Sequence, residues 1–516
     1  MNTVGFILLT KDTYVIAQPT ARPDDTTQMG DLDQTRMPYL ESLLAEKEAY
    51  HTSFHMPGHK MLMQPHPMLE QYWGGNLHPA DIVEINGIID YLHSPKGKLL
   101  EAQQLAAKAY GADHTFFLIN GSTVGNMGAI MSASREGQKV IMPRACHRSV
   151  YGGLVLSGAM PVYVKPDYHP QVGSSLAVSA DVVRQLFAEN ENIAAVHITS
   201  PNYYGVLSDT ATIREIAHEN GALMLVDEAH GSHLAFHEGL PTSAVHLGVD
   251  MVIQSTHKTQ GALTQASMLH VNGTRANLAR VAQVMGLLQS SSPNSLLLAS
   301  LDAARMQMAT EGHKLLSHAL ELSHFAREQI CAIDGLWCYG DDLIGSHGIF
   351  AYDPTKLVIR VRDLGQTGFA VSDTLRKTYG IDVEFADLGQ IICSITIGDT
   401  QATINTLLTA LREIAKTKGT ITQQEAEVPP PAELPHIAIS PREAYFATSR
   451  PVPLAQSVGE ITAENIIPYP PGIPLLVPGE VITQEILDYL NYLRRMGSGV
   501  VGVEDKSLTT LRVVTS

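Results

Sequence analysis

Between Leu99 and Val271 the chain alternates short, almost unbroken apolar runs with longer stretches whose apolar positions recur at helical spacing. TFFLI (Thr115 to Ile119), KVIM, PVYV, IAAVHI, ALMLV, DMVIQ and ASMLHV are the runs, and each predicts a strand. EAQQLAAKAYG, closed by Gly111, then VGNMGAIMSA, DVVRQLFAEN and TATIREIAHENG predict the intervening helices. Strands that are apolar at successive positions lack a solvated face, so the pattern implies a mostly parallel sheet covered on both sides.

Outside this block, Leu40, Leu43 and Leu44 sit at helical spacing after Pro38, and a long helical stretch covers roughly Asp302 to Ile333. KLVIRV, a helix near Val371 to Tyr379, IICSITI and a helix from Gln401 to about Lys416 describe a second, smaller α/β unit. VPPPAELP (Val428 to Pro435) is a connector, and IIPYPPGIPLLVPGE (Ile466 to Glu480) is too rich in proline for regular structure. Residues 1–33 have weak periodicity and a polar middle, PTARPDDTTQMGD, and are expected to form a mobile extension. The expected organisation is 1–33 as the extension, 34–320 as the large domain and 321–516 as the C-terminal α/β domain and tail.

Composition narrows the class. The 516 residues include 44% hydrophobic and 17% charged side chains, so the chain folds rather than staying disordered. A net charge of −17 argues against a nucleic-acid partner and is compatible with a small cationic one. Four scattered cysteines, with no CxxC, give neither a disulfide framework nor a metal-ligand spacing and fit a reducing, cytosolic setting. No apolar run reaches the length of a membrane helix, and the short GFILL run near the start lacks the basic lead of an export signal.

Four features then fall at strand ends. Asn120-Gly121-Ser122-Thr123 lies between a strand and a helix, where amides, hydroxyls and the helix dipole favour an anion. Asp227 directly follows ALMLV, at the strand edge where open α/β sheets bind ligands. Lys258 follows DMVIQ within Ser255-Thr256-His257-Lys258, and an enclosed lysine can lose its proton and attack an aldehyde. His147, in RACHRS beyond KVIM, could stack on a flat ligand. Singly, these read as a helix cap, an ion pair, a solvated lysine and a structural histidine. Together they complement pyridoxal 5′-phosphate, which needs an anion pocket, an amine, and a carboxylate that keeps its ring nitrogen protonated.

At these residues the sequence resembles the Orn/Lys/Arg decarboxylases, enzymes of the fold-type-I, pyridoxal-phosphate-dependent class, in the short form without an N-terminal wing domain. The resemblance rests on SFHMPGHK, LHSPKGKLLEAQQLAAKAYGADHTFFLINGST, PRACHRS, DEAHGSH, STHKTQGALTQASMLH and IIPYPPGIPLLVPGE, and covers residue 34 to the end. It implies an aspartate-aminotransferase-like large domain and an amino-acid decarboxylase that is at least a homodimer. Carried over, Lys258 is the lysine that holds the cofactor aldehyde, Asp227 the partner of the ring nitrogen, and His147 the stacking group. Ser122, Thr123, Ser255 and His257 contact the phosphate. Ala229 packs behind the ring, and His230 touches ring or substrate.

A basic substrate needs an anionic cup. Asp382 and Glu384 share a face if GIDVEFAD is extended. The family keeps substrate-recognition residues in the corresponding segment, so Glu384 is the first candidate and Asp387 the second. Asp81 and Glu84 form another acidic pair. The cluster favours arginine, whose planar guanidinium suits two carboxylates, with lysine and ornithine as alternatives. Another fold-type-I activity such as transamination, and an inactive regulatory homologue, are the competing readings. Intact Lys258, Asp227 and His147 weigh against the latter. The proton donor to Cα is open among Lys258, His230 and Cys393.

Overall fold

Seven strands form the central sheet: β1 (His114–Leu118), β2 (Lys139–Pro143), β3 (Met160–Val164), β4 (Ile193–Thr199), β5 (Leu223–Asp227), β6 (Met251–Gln254) and β7 (Ser267–Val271). The computed structural model describes residues 32–49, 52–61, 64, 66–84, 89–165, 167–172, 174–420, 433–469 and 473–515. Spatial order is β1-β7-β6-β5-β4-β2-β3. β7 runs antiparallel to both its neighbours, and the other pairings are parallel. All seven predicted runs are strands of this one sheet.

The apolar runs are explained by the two faces. Val140 and Met142 of β2, Leu225 of β5, and Met251 and Ile253 of β6 join one core with Ile130, Leu154 and Met285. Ile141, Met224, Val226 and Val252, the alternating positions, join another with Val183 and Ile213. The first core is covered by α3 (Gly121–Ala133), α4 (Arg148–Ser157) and α7 (Leu278–Leu288); the second by α5 (Ala180–Glu189) and α6 (Thr210–Glu219). Two earlier helices, α1 (Pro38–Ala49) and α2 (Lys98–Tyr110), pack together through Tyr39, Leu43, Leu99 and Ala102. Gly111 closes α2 at φ 78°, a left-handed conformation that favours glycine.

Helix α8 (Ser295–Cys331) is a single helix, capped by Asn294, whose side chain accepts from the amides of Leu296 and Leu297. Its first turns place Leu298 and Leu301 beside Tyr39 and Leu99. Its last turns place Leu322, Ala326 and Ile330 in the core of the smaller unit with Leu357, Ile359 and Leu411. Residue 320, the expected domain limit, therefore lies inside an unbroken helix that belongs to both cores. The smaller unit holds the antiparallel sheet β8 (Trp337–Cys338), β9 (Lys356–Arg360), β11 (Gln390–Ser394) and β10 (Phe385–Ala386), in that order, with α9 (Gly368–Tyr379) and α10 (Gln401–Ala415).

Beyond it, β12 (Ser449–Pro453) pairs with β15 (Thr510–Val514), and β13 (Ile467–Tyr469) with β14 (Gly499–Val501). These close over α11 (Gln484–Arg495) through Ile466, Leu476, Ile486, Leu490 and Leu511. β13 corrects the expectation that the proline-rich segment is irregular. Its Pro468 pairs opposite Val500 in a sheet of two strands, where each strand is an edge and a missing amide is tolerated.

Residues 34–516 form one compact unit. The mobility expected of the 1–33 extension falls, for residues 1–31, outside the described residues, as does most of the VPPPAELP connector. Among the described residues no helix is long and apolar enough to cross a membrane.

Candidate active site

The parallel register brings the candidate side chains to one edge of the sheet. Thr199, Asp227 and Ile253 are direct cross-strand neighbours at the carboxyl ends of β4, β5 and β6. Lys258 follows β6 in the short helix Thr256–Thr259. Its Nζ lies 3.0 Å from His230 Nε2. Burial pushes the Lys258 amine down from the usual lysine range; Asp227 and Glu384 oppose that shift and Lys356 adds to it. His230 is held well below the usual histidine range by burial, then by the charges of Lys258 and Lys356. A neutral imidazole beside an easily deprotonated amine lets the pair share one proton between Nζ and Nε2.

Asp227 is 3% exposed. Its Oδ1 accepts from the Ala229 amide at 3.1 Å and its Oδ2 from Asn126 Nδ2 at 2.8 Å. Asn126 also donates to Ser149 Oγ at 3.0 Å, and that hydroxyl lies 2.7 Å from His147 Nδ1. His147 caps α4, its ring nitrogen accepting from the Ser149 amide. Burial lowers the pKa of this half-buried ring, with Asp227 opposing. Ala229 is buried directly beyond the carboxylate.

The fit to a phosphate is visible at the start of α3. Asn120 stands at the N-cap without a side-chain cap bond, so the first helix amides keep their donors. Ser122 Oγ and Ser255 Oγ meet at 2.7 Å, and Ser267 Oγ is 3.4 Å from the former. Thr123 is exposed beside them, and the buried Thr256 hydroxyl has no hydrogen-bond partner among the described residues. His257 Nδ1 lies 2.9 Å from the Ala266 carbonyl, which can only accept, so that nitrogen carries the hydrogen. A donor on its Nε2 then requires the protonated ring. These hydroxyls and amides, with the half-buried Lys258 and the buried Asp227, suit pyridoxal 5′-phosphate in charge and donor type.

The acidic candidates separate. Glu384 is exposed, and its charge is felt at both Lys258 and His257. Asp382 instead pairs with Arg376 at 3.5 Å. Asp387, the second expected substrate carboxylate, is filled from within the chain. Its Oδ1 accepts from the Gly389 and Gln390 amides, and its Oδ2 from Gln390 Nε2 at 2.9 Å and the Tyr204 hydroxyl at 3.0 Å. It shapes the turn between β10 and β11. Asp81 pairs with His59 at 3.1 Å. Burial pushes the Cys393 thiol up to about 12, so it keeps its proton.

Several participants were not read from the sequence. Asn126, Ser149, His197 and Lys356 all border the site. Asn126 did carry a signal, since it stands four residues after Ser122 on a helix and so shares its face. Lys356 carried none; it arrives from β9 of the smaller unit, buried, with Nζ 2.6 Å from Ser394 Oγ. Elsewhere, His237, Glu238 and His313 bring three ligand atoms within 4.8 Å. His237, however, spends Nδ1 on the Gly239 amide and Nε2 on Ser317.

Residues 37–403 match the model of the Orn/Lys/Arg decarboxylase major domain, and residues 422–507 that of the Orn/Lys/Arg decarboxylase C-terminal domain. The chain belongs to the Orn/Lys/Arg decarboxylase family. It is 40% identical over 483 residues to an arginine decarboxylase of Halalkalibacterium halodurans, covering 93% of this chain and 98% of that protein. It is 26% identical to the lysine decarboxylase LdcA of Pseudomonas aeruginosa, covering 89% of this chain and 76% of that one. The crystal structure of the Francisella novicida lysine decarboxylase LdcF superposes with a TM-score of 0.79 at 21% identity, covering 94% of this chain and 82% of that one. That likeness extends the decarboxylase fold to both domains. The family's fold-type-I architecture is the one seen here, with one antiparallel strand, β7, in an otherwise parallel sheet. It is an amino-acid decarboxylase family, and this chain is an enzyme of that kind.

Proposed function

We propose that the chain decarboxylates arginine to agmatine, a step toward polyamines, with pyridoxal 5′-phosphate as cofactor. Arginine over lysine is supported by the higher identity to an arginine decarboxylase, 40% against 26% for a lysine decarboxylase. Pyridoxal phosphate, when bound, supplies the electron sink for the pair released as the Cα–carboxylate bond breaks. The observation that carries the reading is the half-buried Lys258, whose Nζ lies 3.0 Å from His230 and feels the charges of Asp227 and Glu384.

In this reading, Ser122, Thr123, Ser255, His257 and the first amides of α3 would hold the phosphate. Asp227 would hold the proton of the ring nitrogen, His147 would stack on the ring, and Ala229 would leave room behind it. Lys258 would bind the aldehyde. The Lys258–His230 pair holds the proton that returns to Cα. Glu384 would receive the guanidinium, and Asp387 orders the turn that follows it.

The enzyme works as a homodimer or higher oligomer in the cytoplasm. Support for self-association comes from Phe54, which is 93% exposed, and from Met68, Tyr72 and Trp73, apolar side chains left open by the single chain. The test is incubation with arginine, lysine or ornithine, with carbon dioxide trapped and product amines identified. Agmatine and carbon dioxide are expected. Cadaverine as the preferred product would reassign the substrate, and keto-acid formation without carbon dioxide would reject decarboxylation. Sedimentation that finds an active monomer would reject the dimer.

A further inference from the structure

Asn126 is buried to 1% exposure in α3, four residues beyond the phosphate-binding candidates, and touches three polar partners. The direction of each bond follows from chemistry. The Asp227 carboxylate only accepts, so the Asn126 atom 2.8 Å away must be nitrogen, and Oδ1 must face His197. The second hydrogen of that nitrogen goes to Ser149 Oγ at 3.0 Å. Ser149 Oγ, having accepted there, gives its own hydrogen to His147 Nδ1 at 2.7 Å, which the Ser149 amide also faces at 3.3 Å. With Nδ1 accepting twice, the hydrogen of a neutral His147 sits on Nε2. His197 Nε2, 3.4 Å from Asn126 Oδ1, closes the far end, and burial lowers its pKa to about 4, so it stays neutral.

We propose that Asn126 is a positioning residue: it ties the Asp227 carboxylate and the His147 imidazole into one directed hydrogen-bond frame and holds His147 as the neutral Nε2–H form. The inference rests on the pyridoxal-phosphate reading of this site. Two groups expected on different sides of one flat ring are thereby fixed relative to each other by a single amide. Rotation of the carboxylate out of its plane, or a switch of the imidazole to its other form, breaks a buried hydrogen bond. The charges facing His147 are Asp227, Lys258 and Arg148, and the His147 charge is felt in turn at His230. Of these only Asp227 favours the protonated ring; burial, Lys258 and Arg148 act with the frame.

The test uses the full chain, with and without pyridoxal 5′-phosphate. Nitrogen-15 histidine resonances report the His147 tautomer, assigned by loss of the signal in His147→Gln. The wild type should show the Nε2–H form across neutral pH. Ser149→Ala should turn that signal into a pH-dependent mixture, and Ser149→Thr, which keeps the hydroxyl, should restore it. Asn126→Leu should disturb His147 and also shift the pH titration of the bound-cofactor absorption band, which answers to Asp227. Its kcat should fall roughly ten- to hundredfold with KM little changed, as for loss of a hydrogen bond to a charged group.

A frame that merely stabilised the fold would leave tautomer and band titration unchanged below the melting temperature. Wild-type behaviour of both in folded Asn126→Leu overturns the proposal. If that variant does not fold, the smaller Asn126→Ser replaces it, and an unchanged His147 signal with an unchanged band titration in Asn126→Ser overturns the proposal. A wild-type chain that takes up no pyridoxal phosphate instead rejects the cofactor reading, and the histidine spectra of the cofactor-free chain still decide the frame.

Discussion

Single side chains set the chemistry through their fields. In the proposed role of Lys258 the neutral amine reacts with the aldehyde, and burial lowers its pKa from the usual range. Reconstitution of cofactor-free protein with pyridoxal phosphate should therefore reach full rate at lower pH than a free lysine would. Lys356→Met removes a charge that lowers that pKa, so its pH–rate curve should move to higher pH, whereas Glu384→Gln removes a charge that raises it and should move the curve down. Stopped-flow absorbance across pH measures both, and shifts of the same sign would refute the assignment. With arginine, Glu384→Gln should lose roughly ten- to hundredfold in kcat/KM, and less with an uncharged amino acid of similar length. Equal losses would make Glu384 a support of the fold. His257 gives a further handle. Burial first, then Lys258, lowers its pKa, so it is neutral near pH 7 in the cofactor-free chain and must take up a proton to donate to phosphate. Calorimetry of pyridoxal phosphate binding in two buffers of different ionisation enthalpy should show proton uptake that disappears in His257→Asn.

At the scale of elements, α3 lays one face, with Ser122, Gly125 and Asn126, close against the sheet and the site at its edge. Gly125 makes that close approach possible. A Cβ there would come 2.7 Å from Ile253 Cγ2 and 2.9 Å from Leu118 Cδ1. Gly125→Ala should cost about 1–3 kcal/mol by overpacking, even though alanine favours helix. Thermal unfolding checks this, and a stabilised variant would show that the helix can lift away from the sheet freely. The seven strand runs were legible because burial on both faces leaves few polar positions, such as His197 and His270, to interrupt them. β13 was not legible, because whether a proline fits a strand depends on which edge its missing amide faces, and that is set by the partner strand.

For the whole molecule, the tail is fastened to the sheet domain by a buried ion pair. Arg144 reaches both carboxylate oxygens of Glu480, the Nη2–Oε2 contact being 2.9 Å, and also donates to the Leu475 carbonyl. The guanidinium lies 5.0 Å from the Tyr163 ring centroid. Arg144 stands three residues before His147, so the proline-rich PGE motif is tied to the strand end that carries the stacking candidate. Glu480→Leu leaves a buried guanidinium unpaired and should cost about 3–5 kcal/mol. Adding Arg144→Met should recover much of that, because the uncompensated charge is gone. Denaturant unfolding of the two single variants and the double variant measures the coupling. Additive losses would show that the two side chains do not act as a pair.

The sequence by itself determined the seven strands, several of the helices between them, a mostly parallel sheet, and the four strand-end features around Lys258, Asp227, His147 and Ser122. These are local signals: a run of apolar residues, a glycine that permits a turn, a reactive side chain one step past a strand. The carboxylates were another matter. Asp382, Glu384 and Asp387 are near neighbours in sequence and similar in chemistry. Tertiary structure alone gave Asp382 to Arg376, filled Asp387 with Tyr204, Gln390 and two amides, and left Glu384 facing Lys258. Which carboxylate stays unspent depends on how the local chain folds back on itself, as at Asp387 with Gly389 and Gln390, and on Tyr204, which arrives from far in the chain. Glu480 likewise reaches Arg144, and Lys356 brings its charge to Lys258, only because distant parts of the chain fold together, a fact no local pattern encodes.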